Sequence, residues 1–120
     1  MQTVQDIKSL SHSGPFETPF SPSPLKVVHG NPLQQMVNSY TSPCGQFNSG
    51  VWQSLPGKWK VSYSEHEFCH IIEGASIIRD TEGNELLVNE GDSFTIPAGF
   101  EGTWEVLKPC RKIYVTFEAE

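Results

Sequence analysis

Two stretches decide how this chain is read: Glu67-Phe68-Cys69-His70-Ile71-Ile72-Glu73-Gly74, and Gly91-Asp92-Ser93-Phe94-Thr95-Ile96-Pro97-Ala98-Gly99-Phe100-Glu101-Gly102-Thr103-Trp104. In both, short runs rich in Ile, Phe and Thr are closed by Gly, Pro or Asp, the punctuation of strands joined by turns. The same pattern extends outward. Strands are expected at 50–54, 58–64, 67–73, 75–80, 85–88, 93–96, 102–107 and 111–117. Turn chemistry lies between them at Pro56-Gly57, 80–84, 89–92, 97–99 and Lys108-Pro109. Upstream, 25–29 and 35–40 are shorter candidates. A strand and turn every ~8–12 residues is the spacing of a sandwich or barrel.

Composition agrees. Nine Val, seven Ile, seven Thr and thirteen aromatic residues favour strands, against three Ala to favour helix. The chain is 120 residues long, one domain by the usual core size of ~100–150 residues. Eight Lys and Arg against fourteen Asp and Glu leave a net charge of −6, and no basic cluster exceeds Arg111-Lys112. Nucleic acid and anionic membrane are therefore poor partners. No apolar run exceeds three residues, as at Leu86-Leu87-Val88, and the start has no basic-then-apolar pattern. A cytoplasmic protein without membrane spans is expected. Cys44, Cys69 and Cys110 make an odd count with no C-x-x-C, which argues for free thiols over a disulfide framework or a zinc site.

Residues 11–24 carry Pro at four of fourteen positions, which blocks helix and central strand alike. The division expected is an extended Pro/Ser-rich arm over 1–24 and a folded domain over 25–120. Phe16 and Phe20 are unusual for a solvated linker, so the arm should lie along a surface, with a partner subunit's the surface expected. Asp92 reads as a turn residue capping backbone N–H groups. His12, His29, Cys44 and Cys110 carry no functional signal.

Glu67 and Gly74, followed by Gly91, Pro97 and Gly99, resemble the two motifs of the cupin superfamily. The first reads H-x-H, three or four residues, Glu, six residues, Gly. The second reads Gly, five residues, Pro-x-Gly, two residues, His. More narrowly, Glu67, Cys69, Glu73-Gly74, Gly91-Asp92, Pro97, Gly99, Gly102, Trp104 and Arg111-Lys112 resemble the short family named for the cupin domain of (S)-ureidoglycine aminohydrolase. The likeness takes in Gly50-Val51-Trp52 and covers 50–117. It implies an all-β fold, a double-stranded β-helix or jelly-roll barrel, with a pocket inside one end. Cupins hold a divalent metal with the three His and the Glu. Here Val61 and Tyr63 stand where the first two His belong and Gly102 where the third does. One carboxylate does not retain a transition metal, so neither metal nor other cofactor is expected. A metal-dependent cupin would need His66 or His70 to turn inward, and strand alternation points His70 away from Glu67.

The resemblance places Glu67 inside the barrel, and alternation then brings Cys69 and Ile71 inward with it. Gly102 inward likewise brings Trp104 and Val106. The candidate pocket holds Glu67 as acid or base, Cys69 as nucleophile and Lys112 as cation, with Trp52, Tyr63, Trp104 and Tyr114 as walls around a ligand. Blander readings stand beside these. A buried Glu–Lys pair can be a structural bridge, a buried Cys is usually inert, and Trp59 reads as core filler. The function expected is a metal-free cupin that binds or transforms a small polar metabolite bearing a ureide, amine or carboxylate. The alternative is a non-catalytic sensing or structural dimer module. A homodimer is expected, with residues before Pro24 touching the partner. The sharpest expectation is that Glu67 and Lys112 share the pocket as its polar centre.

Overall fold

Alternation punctuated by Gly and Pro yields eight strands among the described residues, 1–10 and 15–119, of the computed structural model. They are β1 (Val27–Gly30), β2 (Gln34–Thr41), β3 (Phe47–Ser54), β4 (Gly57–Ser62), β5 (His66–Asp80), β6 (Glu85–Asn89), β7 (Ser93–Ile96) and β8 (Glu101–Phe117), after a single 3-10 turn at Val4–Asp6. β5 and β8 run antiparallel from His66 opposite Phe117 to Asp80 opposite Gly102. The first half of β5 takes β7 on its other side and the second half takes β6. The second half of β8 is flanked by β3 and then β2, its first half by β4 and then β1. Two layers, β7-β5-β8-β3-β2 and β6-β5-β8-β4-β1, thus share one bent central pair. That is the all-β jelly-roll barrel expected from the sequence.

Two pairs of expected strands are in fact single strands. The segments 67–73 and 75–80 are one, as are 102–107 and 111–117, and Lys108-Pro109 is a bend rather than a turn. The ladder pairs Glu73 with Arg111 and then Ala75 with Lys108, stepping past Pro109, which has no N–H to give. Gly74 faces that step with φ +88°, and a Cβ there would lie 2.2 Å from the Pro109 carbonyl oxygen. The irregularity kinks both strands so that each passes from one layer to the other. β3 also begins earlier than expected, at Phe47, because it pairs with β8 out to Phe117.

The core follows from facing. Trp52, Trp59, Cys69, Ile71, Ile78, Val88, Ile96, Trp104, Val106 and Tyr114 are buried together. Both central indoles are satisfied: Trp104 Nε1 donates to Ser76 Oγ at 3.0 Å and Trp52 Nε1 to Gln34 Oε1 at 2.8 Å. On β8 the polar face turns inward, with Lys112, Tyr114 and Thr116 buried, while Phe117 is exposed on the other face. Phe47 and Phe68 are exposed on that outer face as well.

The arm lies on its own barrel over the part described. Phe20 bridges to Gln34, the Glu17 N–H donates to the Met36 carbonyl at 2.9 Å, and Arg111 sits 5.7 Å from the Phe16 ring. The rest of the Pro-rich stretch, 11–14, including His12, falls outside the described residues. Asp92 caps Asn89 N–H at 2.7 Å, as its turn position implies. No helix among the described residues is long and apolar enough to cross a membrane.

The kink makes Gly74 the position least tolerant of a side chain. Gly74→Ala is expected to lower stability by several times the ~1 kcal/mol that a left-handed alanine costs elsewhere. Gly83→Ala is the control, since Gly83 has φ +86° but open space around it. Equal urea midpoints for the two variants would show that the Gly74–Pro109 contact does not hold the bend.

Candidate functional site

Inward-facing side chains from five strands converge at one end of the barrel. Gln34 and Met36 come from β2, Trp52 from β3, Trp59 and Val61 from β4, and Trp104, Lys112, Tyr114 and Thr116 from β8. Glu67 comes from the start of β5, and Tyr63 and Glu65 from the turn before it. They line a cavity of about 210 Å³. Its centre is an ion pair: Lys112 Nζ lies 3.0 Å from Glu67 Oε2, with the two side chains 6% and 9% exposed. The ammonium also lies 4.6 Å and 4.3 Å from the ring centres of Trp52 and Trp104, so its remaining charge faces two indole π-clouds.

Burial opposes the charge on Lys112, but the Cys69, Glu67 and Tyr63 groups around it hold its pKa above the ordinary lysine value. Tyr63 is pushed well above the usual phenol range by burial, with Lys112 offsetting part of that and Glu67 adding to it. Tyr114 is pushed up to about 12, chiefly by burial and then by Glu17 and Glu67, and its hydroxyl donates to Asn38 Oδ1 at 2.8 Å. Both phenols are neutral donors at physiological pH. The Cys69 thiol is pushed up to about 12, first by burial. Cys69 has no exposed surface and does not line the cavity, so it lies behind the ion pair as a protonated thiol, a poor nucleophile.

The residues do not fit the metal that cupins commonly hold. Val61 and Tyr63 reach the cavity at the places of the first two His. At Gly102 a Cβ would lie 1.8 Å from the Arg79 carbonyl oxygen, so no side chain fits there. His66 is exposed and its Nδ1 accepts the Ala98 N–H at 3.1 Å, while His70 Nδ1 pairs with Ser93 Oγ at 2.7 Å on the outer side of β5. A divalent ion beside Glu67 would meet no imidazole among the described residues and a repelling ammonium 3.0 Å from the carboxylate. Among the described residues no three His, Cys, Asp or Glu side chains are grouped to hold one elsewhere.

Of the residues expected in the pocket, Glu67, Lys112, Trp52, Tyr63, Trp104 and Tyr114 come together, and Cys69 sits beneath them. Trp59, expected as core filler, is both core and cavity wall. Thr116 lines the cavity on the polar face it was expected to share with Lys112 and Tyr114. Gln34, Met36 and Glu65 were not anticipated, although Glu65 shares the parity of Tyr63 and Glu67, so alternation carried its signal. A second cavity, of about 220 Å³, lies on the outer wall between Leu33, Gln53, Pro109 and Arg111. Its polar groups already satisfy one another: Arg111 Nε donates to Gln53 Oε1 at 3.0 Å, and its Nη1 lies 3.7 Å from Glu73.

Known proteins place this geometry in a family. Residues 41–114 match the EutQ-like cupin domain. A protein of unknown function of the DUF861 family from Pseudomonas syringae pv. tomato is 26% identical, with a TM-score of 0.80 over 89% of this chain and 46% of its own. The chain therefore spans about half of that protein's length. A DUF861 protein from Thermotoga maritima is 31% identical over 53% of this chain and 73% of its own, with a TM-score of 0.52. The putative ethanolamine utilization protein Q of Salmonella typhimurium shares the fold at 20% identity, with a TM-score of 0.65 over 88% of this chain and 95% of its own. No protein of curated function matches. These likenesses carry the superfamily and not the narrower resemblance to (S)-ureidoglycine aminohydrolase. The chain belongs to the cupins of the EutQ-like domain family.

Proposed function

We propose that the barrel cavity binds a small polar metabolite, with the Glu67–Lys112 pair as the floor on which its oxygen-bearing group is set. The observation that carries this reading is a protonated lysine lining a cavity while nearly excluded from water. An N–H aimed at a carbonyl or carboxylate oxygen from such a site is strengthened by the low local dielectric. It performs at that oxygen the polarising service a metal performs in other cupins. Tyr63, protonated, adds a neutral hydroxyl, and Tyr114, whose proton is given to Asn38, adds its ring and an accepting oxygen. Glu67 is the group through which a proton would move if the bound molecule reacts, because it touches the ammonium and lines the cavity. Ureides, amides and carboxylates are the compounds this floor suits. Cys69 serves as packing behind it.

The rival reading is a structural bridge with no ligand, and the two differ in what a paired replacement does. Removing one partner leaves a buried charge, so Lys112→Met or Glu67→Gln alone is expected to cost ~3–5 kcal/mol in a denaturant titration. The double variant Lys112→Met/Glu67→Leu restores most of that loss, since apolar pairs commonly replace buried ion pairs without penalty. A tryptophan-fluorescence screen of small ureides, amines and carboxylates should then find compounds that bind the native protein and not the double variant. Equal binding by both would refute the role of the pair.

Two further outcomes follow from the titrating groups. Cys44 is exposed and its thiol pKa is lowered by Ser42 and the Gln46 backbone, whereas burial raises that of Cys110. Iodoacetamide at pH 8 is expected to modify Cys44 rapidly, and Cys69 and Cys110 only after unfolding; fast modification of Cys69 would return it to the list of nucleophiles. Cys69 and Lys112 both hold their protons more tightly folded than unfolded. The unfolded chain therefore releases them first, and stability should fall as pH rises from ~9 toward 12.

For the exposed outer strip of Phe47, Phe68 and Phe117, joined across the sheet through Val115, we propose a second copy of the chain as the cover. Light scattering at micromolar concentration is expected to give twice the single-chain mass, and a monomer would count against this.

A further inference from the structure

The cavity's charges do not balance. Lys112 is committed to Glu67, yet a second carboxylate, Glu65, also lines the cavity, half-buried in the turn between β4 and β5. Among the described residues Glu65 makes no ion pair. Its carboxyl pKa is raised by burial and by the nearby Glu67 and Glu118, and Lys112 alone offsets this. Lys26 and Lys60 line the shallower cleft alongside with Glu65, but both are exposed and neither is within ion-pair distance of it. Glu17, carried in by the arm, adds negative charge near Tyr114. Glu65 is thus a lining carboxylate without an ion-pair partner beside a floor that is electrically neutral, with Glu17 and Glu118 adding negative charge nearby and the exposed Lys26 and Lys60 in the adjoining cleft.

The walls shared with Glu65 are aromatic, since Trp59 and Tyr63 line both this cavity and the adjoining cleft. Two deeply buried polar side chains also reach the cavity, Gln34 at 6% exposed and Thr116 at 8% exposed. Gln34 accepts the Trp52 indole N–H on its Oε1.

We infer that the ligand is a small organic ammonium, its cationic nitrogen seated between Glu65 and the rings of Trp59 and Tyr63. This rests on the reading of the cavity as a ligand site and names the class of molecule it takes. A cation restores neutrality to Glu65 and gains the π-faces, whereas an anion would be repelled by Glu65 in the lining, with Glu17 and Glu118 adding negative charge nearby. The oxygen-bearing end of the same molecule meets Lys112, so the class is an amine that also carries a carbonyl, carboxylate or hydroxyl group.

The test uses three probes of one size: n-propylammonium, n-propanol and propionate. The readout is the indole N–H resonances of Trp52, Trp59 and Trp104 in the full-length protein. Propylammonium is expected to shift the Trp59 signal saturably and to bind about tenfold more tightly than the other two. Glu65→Gln should remove about that tenfold preference and leave the response to propanol unchanged. The inference is overturned if propanol or propionate binds as tightly as the amine, or if Glu65→Gln leaves the amine's affinity intact. Propionate binding that is lost in Lys112→Met/Glu67→Leu would overturn the cationic class while keeping the cavity as a ligand site. No shift with any probe at ~100 mM, where even millimolar binders saturate, would overturn both.

Discussion

The ladder between β5 and β8 is the constraint to which the rest of the barrel answers. It sets Glu67 opposite Thr116, Cys69 opposite Tyr114 and Ile71 opposite Lys112, so the lysine must lean along its strand to reach a carboxylate two pairs away. A slip of one residue would exchange the faces of β8, placing Ile113 and Val115 inside and Lys112 in solvent. That arrangement would look better as a closed hydrophobic core. The observed register exists because the Gly74–Pro109 step pins it: the chains touch there so closely that no other residue fits at 74, and β3 and β4 grip β8 on either side of the bend.

Once Lys112 is inside, the remainder of the site is its solvation shell. Glu67 supplies the opposite charge, Trp52 and Trp104 supply π-faces, and the indole N–H groups are turned away to Gln34 and Ser76 so that the ring faces are free for the ammonium. Burying such a pair costs several kcal/mol per ion before the attraction is recovered, and an apolar pair would commonly be as stable. Scaffolding is therefore a weak account of it. A cation built into the chain also differs physically from a bound metal, since its charge is independent of metal supply and its donors are N–H groups of fixed reach.

Alternation along the strands grouped Glu67 with Cys69, Gly102 with Trp104 and Lys112 with Tyr114, because period two is a local property of the chain, and the cupin resemblance supplied which of those faces turns inward. Alternation was not enough to join the strands across Gly74 and Pro109. A glycine or proline marks a turn and a bulge with the same letters, and only the partner strand distinguishes them. Trp59 was assigned to the core because large aromatics usually belong there, although its parity with Val61 and Tyr63 already set it on the cavity side. Gln34 could not be found that way. Its place in the wall depends on β2 docking beside β3, a contact between segments whose sequences say nothing about each other. Cys69 was correctly oriented and differently placed: facing inward does not mean reaching the cavity, and depth along the barrel axis is not written in a two-residue period.

Gln34 also ties the arm to the floor of the cavity. Phe20 exchanges two backbone hydrogen bonds with Gln34, at 2.8 Å and 2.7 Å, and so fixes the end of β2. The Gln34 side chain then holds the Trp52 indole at 2.8 Å, and the Trp52 ring faces the Lys112 ammonium. Four contacts thus run without a gap from the Pro-rich segment to Glu67. Proline restricts the arm's unfolded freedom, which lowers the entropy lost when it docks along the β2 edge. An edge strand left bare would offer unpaired N–H and C=O groups to another chain, and the arm covers part of this one. The same docking holds in place the glutamine that orients Trp52, so a segment that looks like a linker in the sequence is part of what fixes the geometry around Lys112.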